Sequence, residues 1–194
     1  MSVKHSVRLG VLPWCAGLVV TASWLGLCGF AVPAGFAAEA TADAEGFTAL
    51  FDGKTLDGWE GSREWFRVED GAVVGGSLEK KVPRNEFLTS KEEFADFELR
   101  LKFKLVGEGV NAGIQIRSRR IPNHHEMIGY QADLGQEYTG ALYDESRRRT
   151  MLARPMPEAL AKAFKPNEWN EYRIRCEGPR VQLWINDVAT VDYT

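Results

Sequence analysis

Alternation of apolar and polar residues with a period of two constrains this chain more than any other feature. In FADFELRLKFKLV, Phe97, Leu99, Leu101, Phe103 and Leu105 alternate with Glu98, Arg100, Lys102 and Lys104. Successive side chains of a strand point to opposite faces, so such a run has one buried face and one wet face. The pattern returns in Tyr172, Ile174 and Cys176, set against Arg173 and Arg175, and again in Val181, Leu183 and Ile185. Turn signals separate the runs: DGK at Asp52, LDG at Leu56, EDG at Glu69 and EGP at Glu177. Shorter strands are expected at 47–51, 65–69, 72–75, 86–90, 112–118, 127–134 and 141–144. One helix is expected, from Met156 to Phe164, closed by Pro166. A hairpin should turn at Asn186 and Asp187, with VATVDYT as its second arm. The expected class is therefore all-β, an antiparallel meander or sandwich. The chain is expected to be truncated and to lack its last strands.

The first 40 residues read as an export leader. Lys4 and Arg8 precede an apolar run from Leu9 to Val32, and small residues follow in AGFAAEA, which places cleavage after Ala37 or Ala40. The expected organisation is a signal peptide over 1–40, a short linker over 41–46 and one sandwich domain over 47–194. The mature protein would be periplasmic or extracellular, with membrane attachment only if the leader stays uncleaved. Cys15 and Cys28 fall within the leader, so Cys176 is left without an intrachain partner and reads as a small buried residue. Net charge is −3 at pH 7, with basic and acidic residues interleaved, which excludes an electrostatic footprint for nucleic acid.

Several segments in order carry a family resemblance. GFTALFDGKTLDGWEG at Gly46, WFRVEDGAVVGG at Trp65, NEFLTSKEEFADFELRLKFKL at Asn85, VNAGIQIRS at Val110, GYQADLG at Gly129, ALYDESRRR at Ala141 and NEWNEYRIRCEGPRVQLWIND at Asn167 together resemble the 3-keto-disaccharide hydrolase family. The resemblance implies a concanavalin A-like jelly-roll sandwich whose concave face binds sugar. It also implies cleavage or hydration of glycosides already oxidised to a ketone at C3. Such a ketone acidifies the C2 proton, so the site needs a base near C2, a donor or cation for the enolate oxygen, and an acid for the departing oxygen. Its partner would be a small oxidised oligosaccharide or glycoside.

In MIGYQADLG the period of two sends Gln131 and Asp133 to one face and Tyr130, Ala132 and Leu134 to the other. Asp133 is the expected base and Gln131 a substrate-binding amide; many relatives carry a Glu and then a Gln at these two places. In VNAGIQIRS, Gln115 and Arg117 share a face, where Arg117 would stabilise an enolate and Gln115 would bind sugar. The run NHHEM puts His124, His125 and Glu126 just before this strand. Glu126 is a candidate acid or base, the two histidines are candidate substrate contacts, and either histidine with Glu126 would suit a divalent ion such as Ca²⁺, Mn²⁺ or Co²⁺. The spacing is not a known metal motif, and solvent-facing loop residues are the plainer reading. In ALYDESRRR the resemblance sets Tyr143 at the cleft, with Glu145 as a further substrate contact and Arg147 to Arg149 as a solvated edge or partners for Asp144 and Glu145. Trp59 and Trp169 are expected to pack the sandwich ends. Two functions stay open: an exported enzyme acting on 3-keto-glycosides, and a non-catalytic lectin-like module, since the same sandwich serves both.

Overall fold

The computed structural model describes residues 5–10, 46–135 and 137–194. The apolar run and cleavage region expected over 11–40 lie outside these residues. The chain divides into two compact units, Met1–Val11 with Phe51–Thr194, and Leu12–Leu50. Within the second unit the described residues, 46–50, form no strand.

The first unit is a set of antiparallel sheets. Its strands are β1 (His5–Gly10), β2 (Trp59–Glu60), β3 (Phe66–Glu69), β4 (Ala72–Ser77), β5 (Thr89–Ser90), β6 (Phe97–Gly107), β7 (Asn111–Arg120), β8 (Met127–Gly135), β9 (Leu142–Glu145), β10 (Thr150–Ala153), β11 (Asn170–Glu177), β12 (Arg180–Ile185) and β13 (Val188–Tyr193). Among the described residues one helix, α1 (Pro157–Ala163), precedes β11. A seven-stranded sheet runs β13-β12-β11-β6-β1-β4-β3, a four-stranded sheet runs β10-β9-β8-β7, and β2 pairs with β5. β1 sits in the middle of the large sheet, antiparallel to β4 on one side and to β6 on the other, with His5 opposite both Ser77 and Gly107.

The two larger sheets share one core. Phe103 and Leu105 of β6, Tyr172, Ile174 and Cys176 of β11, and Val181, Leu183 and Ile185 of β12 meet Ile116, Ala132, Leu134 and Leu142 of the smaller sheet. Each fully buried large side chain contributes about 1.5–3 kcal/mol by leaving water. A satellite cluster of Phe51, Leu56 and Val73, flanked by Trp59, Phe66, Val68 and Leu88, lies beneath the β3–β4 hairpin.

The strong alternations become strands as expected. The β12–β13 turn has positive φ at both Asn186 and Asp187, the signature of a two-residue hairpin turn whose twist matches its strands. Asn186 also donates to the Ala163 carbonyl and to Asn170 Oδ1, which ties the end of α1 to that turn. Other expectations fail where local signals were weak. Residues 46–51 carry no strand, the run at 86–90 shortens to Thr89–Ser90, and β1, β2 and β10 arise without an alternating pattern long enough to announce them. Trp169, expected to pack a sandwich end, is exposed.

Candidate functional site

The four-stranded sheet has one face on the core, and the opposite face gathers the polar residues that the sequence singled out. Ala132 and Leu134 of β8 are 0% and 1% exposed in the core, so Gln131 and Asp133 point outward. Register fixes their neighbours. Gln131 lies opposite Gln115 of β7 and Tyr143 of β9, Gly113 lies opposite Asp133, and Gly129 lies opposite Glu145.

These side chains form a hydrogen-bonded row. Ser118 Oγ donates to Gln115 Oε1 at 2.6 Å, Gln115 Nε2 donates to Gln131 Oε1 at 3.1 Å, and Gln131 Nε2 donates to Asp133 Oδ1 at 2.6 Å. Two glycines leave room for it. A Cβ on Gly113 would sit 2.5 Å from Gln131 Cγ, and a Cβ on Gly129 would collide with Ser118 Oγ. Gln131 thus lies flat over Gly113 on its way to Asp133.

Asp133 is only 5% exposed. Burial penalises its charge first and the Glu145 carboxylate adds to that, while the Gln131 hydrogen bond and the Arg154 cation oppose them; the net effect pushes its pKa up to about 6. Burial also raises the pKa of Glu145, reinforced by the charge of Glu126, against the Ser146 hydrogen bonds. The Tyr143 hydroxyl is raised by burial and then by Glu145 and Asp133, so it stays protonated through the neutral range. The arrangement is a shielded carboxyl that titrates near neutrality beside a phenol, with the Arg154 charge acting on that carboxyl. That is the equipment of general acid–base chemistry.

Asp133, Gln131, Gln115, Tyr143 and Glu145 are therefore brought together. Glu126 stands close enough to act on Glu145, and its carboxylate accepts from Asn85 Nδ2 at 3.1 Å and lies 3.2 Å from His125 Nε2. His125 stacks on His124, with ring centroids 4.4 Å apart, and His124 Nδ1 accepts the Glu126 backbone N–H. The histidines thus serve their own loop. Among the described residues no three His, Cys, Asp or Glu side chains gather to hold a metal ion, so the divalent-ion expectation finds no ligand set there.

Arg117 is carried elsewhere. The β7–β8 register shifts between Ile116 and Arg119, and Arg117 adopts φ +47° at this irregularity. Its guanidinium donates to the Ala95 carbonyl at 2.7 Å, the Gly178 carbonyl at 2.5 Å and Asp96 Oδ1 at 2.6 Å. It clamps the smaller sheet to the β11–β12 turn instead of sharing the face with Asp133. A strict period of two cannot foresee a bulge. Sequence reasoning also missed Ser118, Arg154 and Asn85; the serine lay in a quoted motif, but only the register shift sets it beside Gln115.

Asp144 points to the core side and is 0% exposed. Burial works against its charge, but hydrogen bonds from Arg148 and Arg147 outweigh it and hold its pKa below the usual value. Arg147 lies 5.0 Å above the Tyr130 ring and Arg148 reaches the Tyr193 hydroxyl. These arginines are structural partners of Asp144.

Comparison with known proteins bears on this geometry. A family model described as a 3-keto-alpha-glucoside-1,2-lyase-like domain matches residues 46–194, so β1 lies outside the match. A 3-keto-disaccharide hydrolase of Bacteroides thetaiotaomicron is 26% identical over 174 residues, 78% of this chain and 59% of that protein. The chain thus spans less than two thirds of this relative's length. Among solved structures, a protein of Parabacteroides distasonis provisionally described as a glycosyl hydrolase superposes with a TM-score of 0.58 at 19% identity, covering 76% of this chain and 72% of its own. That match supports the sandwich fold.

Proposed function

Because the chain belongs to the 3-keto-alpha-glucoside-1,2-lyase-like family, we propose that it cleaves glycosides already oxidised to a ketone at C3 of the sugar, on the outer face of the four-stranded sheet. Asp133 removes the acidified C2 proton. The C–H electron pair passes into an enolate and then into a C1=C2 double bond as the C1–O bond breaks. Tyr143 gives the departing oxygen its proton, and water adding to the resulting enone makes the net change a hydrolysis. Gln131, Gln115 and Glu145 hold ring hydroxyls, and Arg154 takes the cationic role that the sequence suggested for Arg117.

The observation that carries this reading is Asp133 itself, a carboxyl 5% exposed with its pKa raised to about 6, on one face with a protonated phenol. The test is to incubate the purified chain with a 3-keto-disaccharide and with its unoxidised parent. The keto sugar should be consumed and the parent left intact; a folded protein that consumes neither removes the proposal. Binding of unoxidised glycans without turnover, unaffected by Asp133→Asn, would establish the lectin-like alternative in its place.

The leader pattern of the first 40 residues supports export, and cleavage there would remove β1 from the large sheet. N-terminal sequencing of the protein from the cell envelope or medium should begin at Ala38 or Thr41, and an intact Met1 there would refute it.

A further inference from the structure

Ser118 ends the hydrogen-bonded row, and it faces more acceptors than its single proton can serve. Its Oγ lies 2.6 Å from Gln115 Oε1, 2.9 Å from the Ile116 carbonyl and 3.3 Å from the Tyr130 carbonyl. A hydroxyl carries one donor and two lone pairs, and an amide carries both kinds of group. While Ser118 donates to Gln115, every link points toward Asp133 and suits a carboxylate, which only accepts. If Ser118 turns to either backbone carbonyl, its oxygen is free to accept from Gln115. Both amides then turn over, and Gln131 presents its oxygen to Asp133. That direction suits a protonated carboxyl, which needs an acceptor. The reversed row satisfies as many groups as the forward one.

Burial makes this more than a drawing exercise. A buried carboxyl proton without an acceptor is costly, and among the described residues Asp133 is hydrogen-bonded through its side chain to Gln131, on Oδ1. The proton is therefore best seated on Oδ1, facing a reversed Gln131. A proton taken up at Oδ2 reaches that position by a half-turn of the carboxyl group.

We infer that Ser118, Gln115 and Gln131 form a reversible hydrogen-bond chain that positions Asp133 in both its protonation states. No proton travels along it: one hydroxyl rotates and two amide planes turn while the proton comes and goes at Asp133 alone. Toward Asp133 all three are positioning residues, a role that Gln115 and Gln131 hold besides gripping ring hydroxyls. The inference rests on Asp133 being the base, and it explains how one buried carboxyl can take a proton from a sugar and release it again without leaving a polar group unpaired. Among the described residues, the charged and titratable groups whose fields couple to Asp133 are Glu145 and Tyr143 from β9, Arg154 beyond β10 and, on the core side, Tyr172 of β11, and none of them belongs to the row.

NMR titration of the full chain reads this directly. The side-chain NH₂ signals of Gln115 and Gln131 should move with the midpoint of the Asp133 carboxyl carbon, about 6, and Asp133→Asn should abolish the movement. Gln131→Met, which cuts the row between its ends, should still the Gln115 signal while Asp133 continues to titrate. A Gln115 signal that stays fixed through the Asp133 titration in the unsubstituted chain overturns the inference, and so does one that still moves after Gln131→Met, because the cause is then a field effect. Coupled titration without consumption of a 3-keto-disaccharide would leave the chain standing and remove the proposed reaction. Consumption with a motionless Gln115 would do the reverse.

Discussion

At position 133 the molecule holds a carboxyl in a place that penalises its charge, and stability and chemistry should respond in opposite directions. The folded state binds the Asp133 proton more tightly than the unfolded chain, whose ordinary value is 3.8 against about 6. Between those values the native state carries more protons, so stability falls as pH rises through that window. Above it the ionised carboxyl costs about 3 kcal/mol. Asp133→Asn should therefore raise Tm at pH ~7.5 by about 6–12 °C and change it little near pH ~4, while lowering kcat/KM about a hundredfold. Calorimetry at the two pH values and a rate assay check both halves; a loss of Tm at pH ~7.5 would mean the carboxylate is supported by its surroundings. In the unsubstituted protein, kcat/KM should rise with pH through about 6 as Asp133 ionises. Asp144 has the opposite sign. Its lowered pKa gives stability that is present above the ordinary carboxylate range and lost as pH falls below it. Removing Arg147 and Arg148 together should lower stability at neutral pH, because the Asp144 carboxylate is left without its partners, and denaturant titration reads that loss.

Among the elements, β7 and β8 decide the site. Gly113→Ala would bring a methyl group to 2.5 Å from Gln131 Cγ, so the Gln131 side chain must shift. Tm should change by only a few degrees while kcat falls about tenfold; an unchanged kcat would show that the placement of Gln131 is immaterial. These strands also show what a sequence can and cannot convey. The face of β8 was legible because Ala132 and Leu134 must be dry, which leaves Gln131 and Asp133 no other side. β6, β11 and β12 were legible for the same reason. Arg117 was not, since the irregularity after Ile116 depends on pairing with β8 and on anchors at Asp96 and Gly178, each distant in sequence. β10 was hidden because four residues are too few to establish a period.

For the whole molecule, the large sheet is continuous only through β1. On one side stand β6, β11, β12 and β13, on the other β4 and β3, and the backbone of His5–Gly10 pairs with both. Val7→Pro removes a ladder N–H from a central strand, a position proline does not tolerate. In the uncleaved chain it should lower Tm by about 6 °C or more and expose the β3–β4 amides to hydrogen exchange; unchanged protection would show that the sheet holds without β1, as a chain cleaved after Ala37 or Ala40 requires. This placement also orders events in time. Residues 5–10 leave the ribosome before either neighbour exists, since Ser77 and Gly107 are translated much later. In an uncleaved chain that segment therefore waits unmated until β6 has emerged, whereas cleavage after Ala37 or Ala40 takes it away and leaves the edges of β4 and β6 that it fills open to another strand.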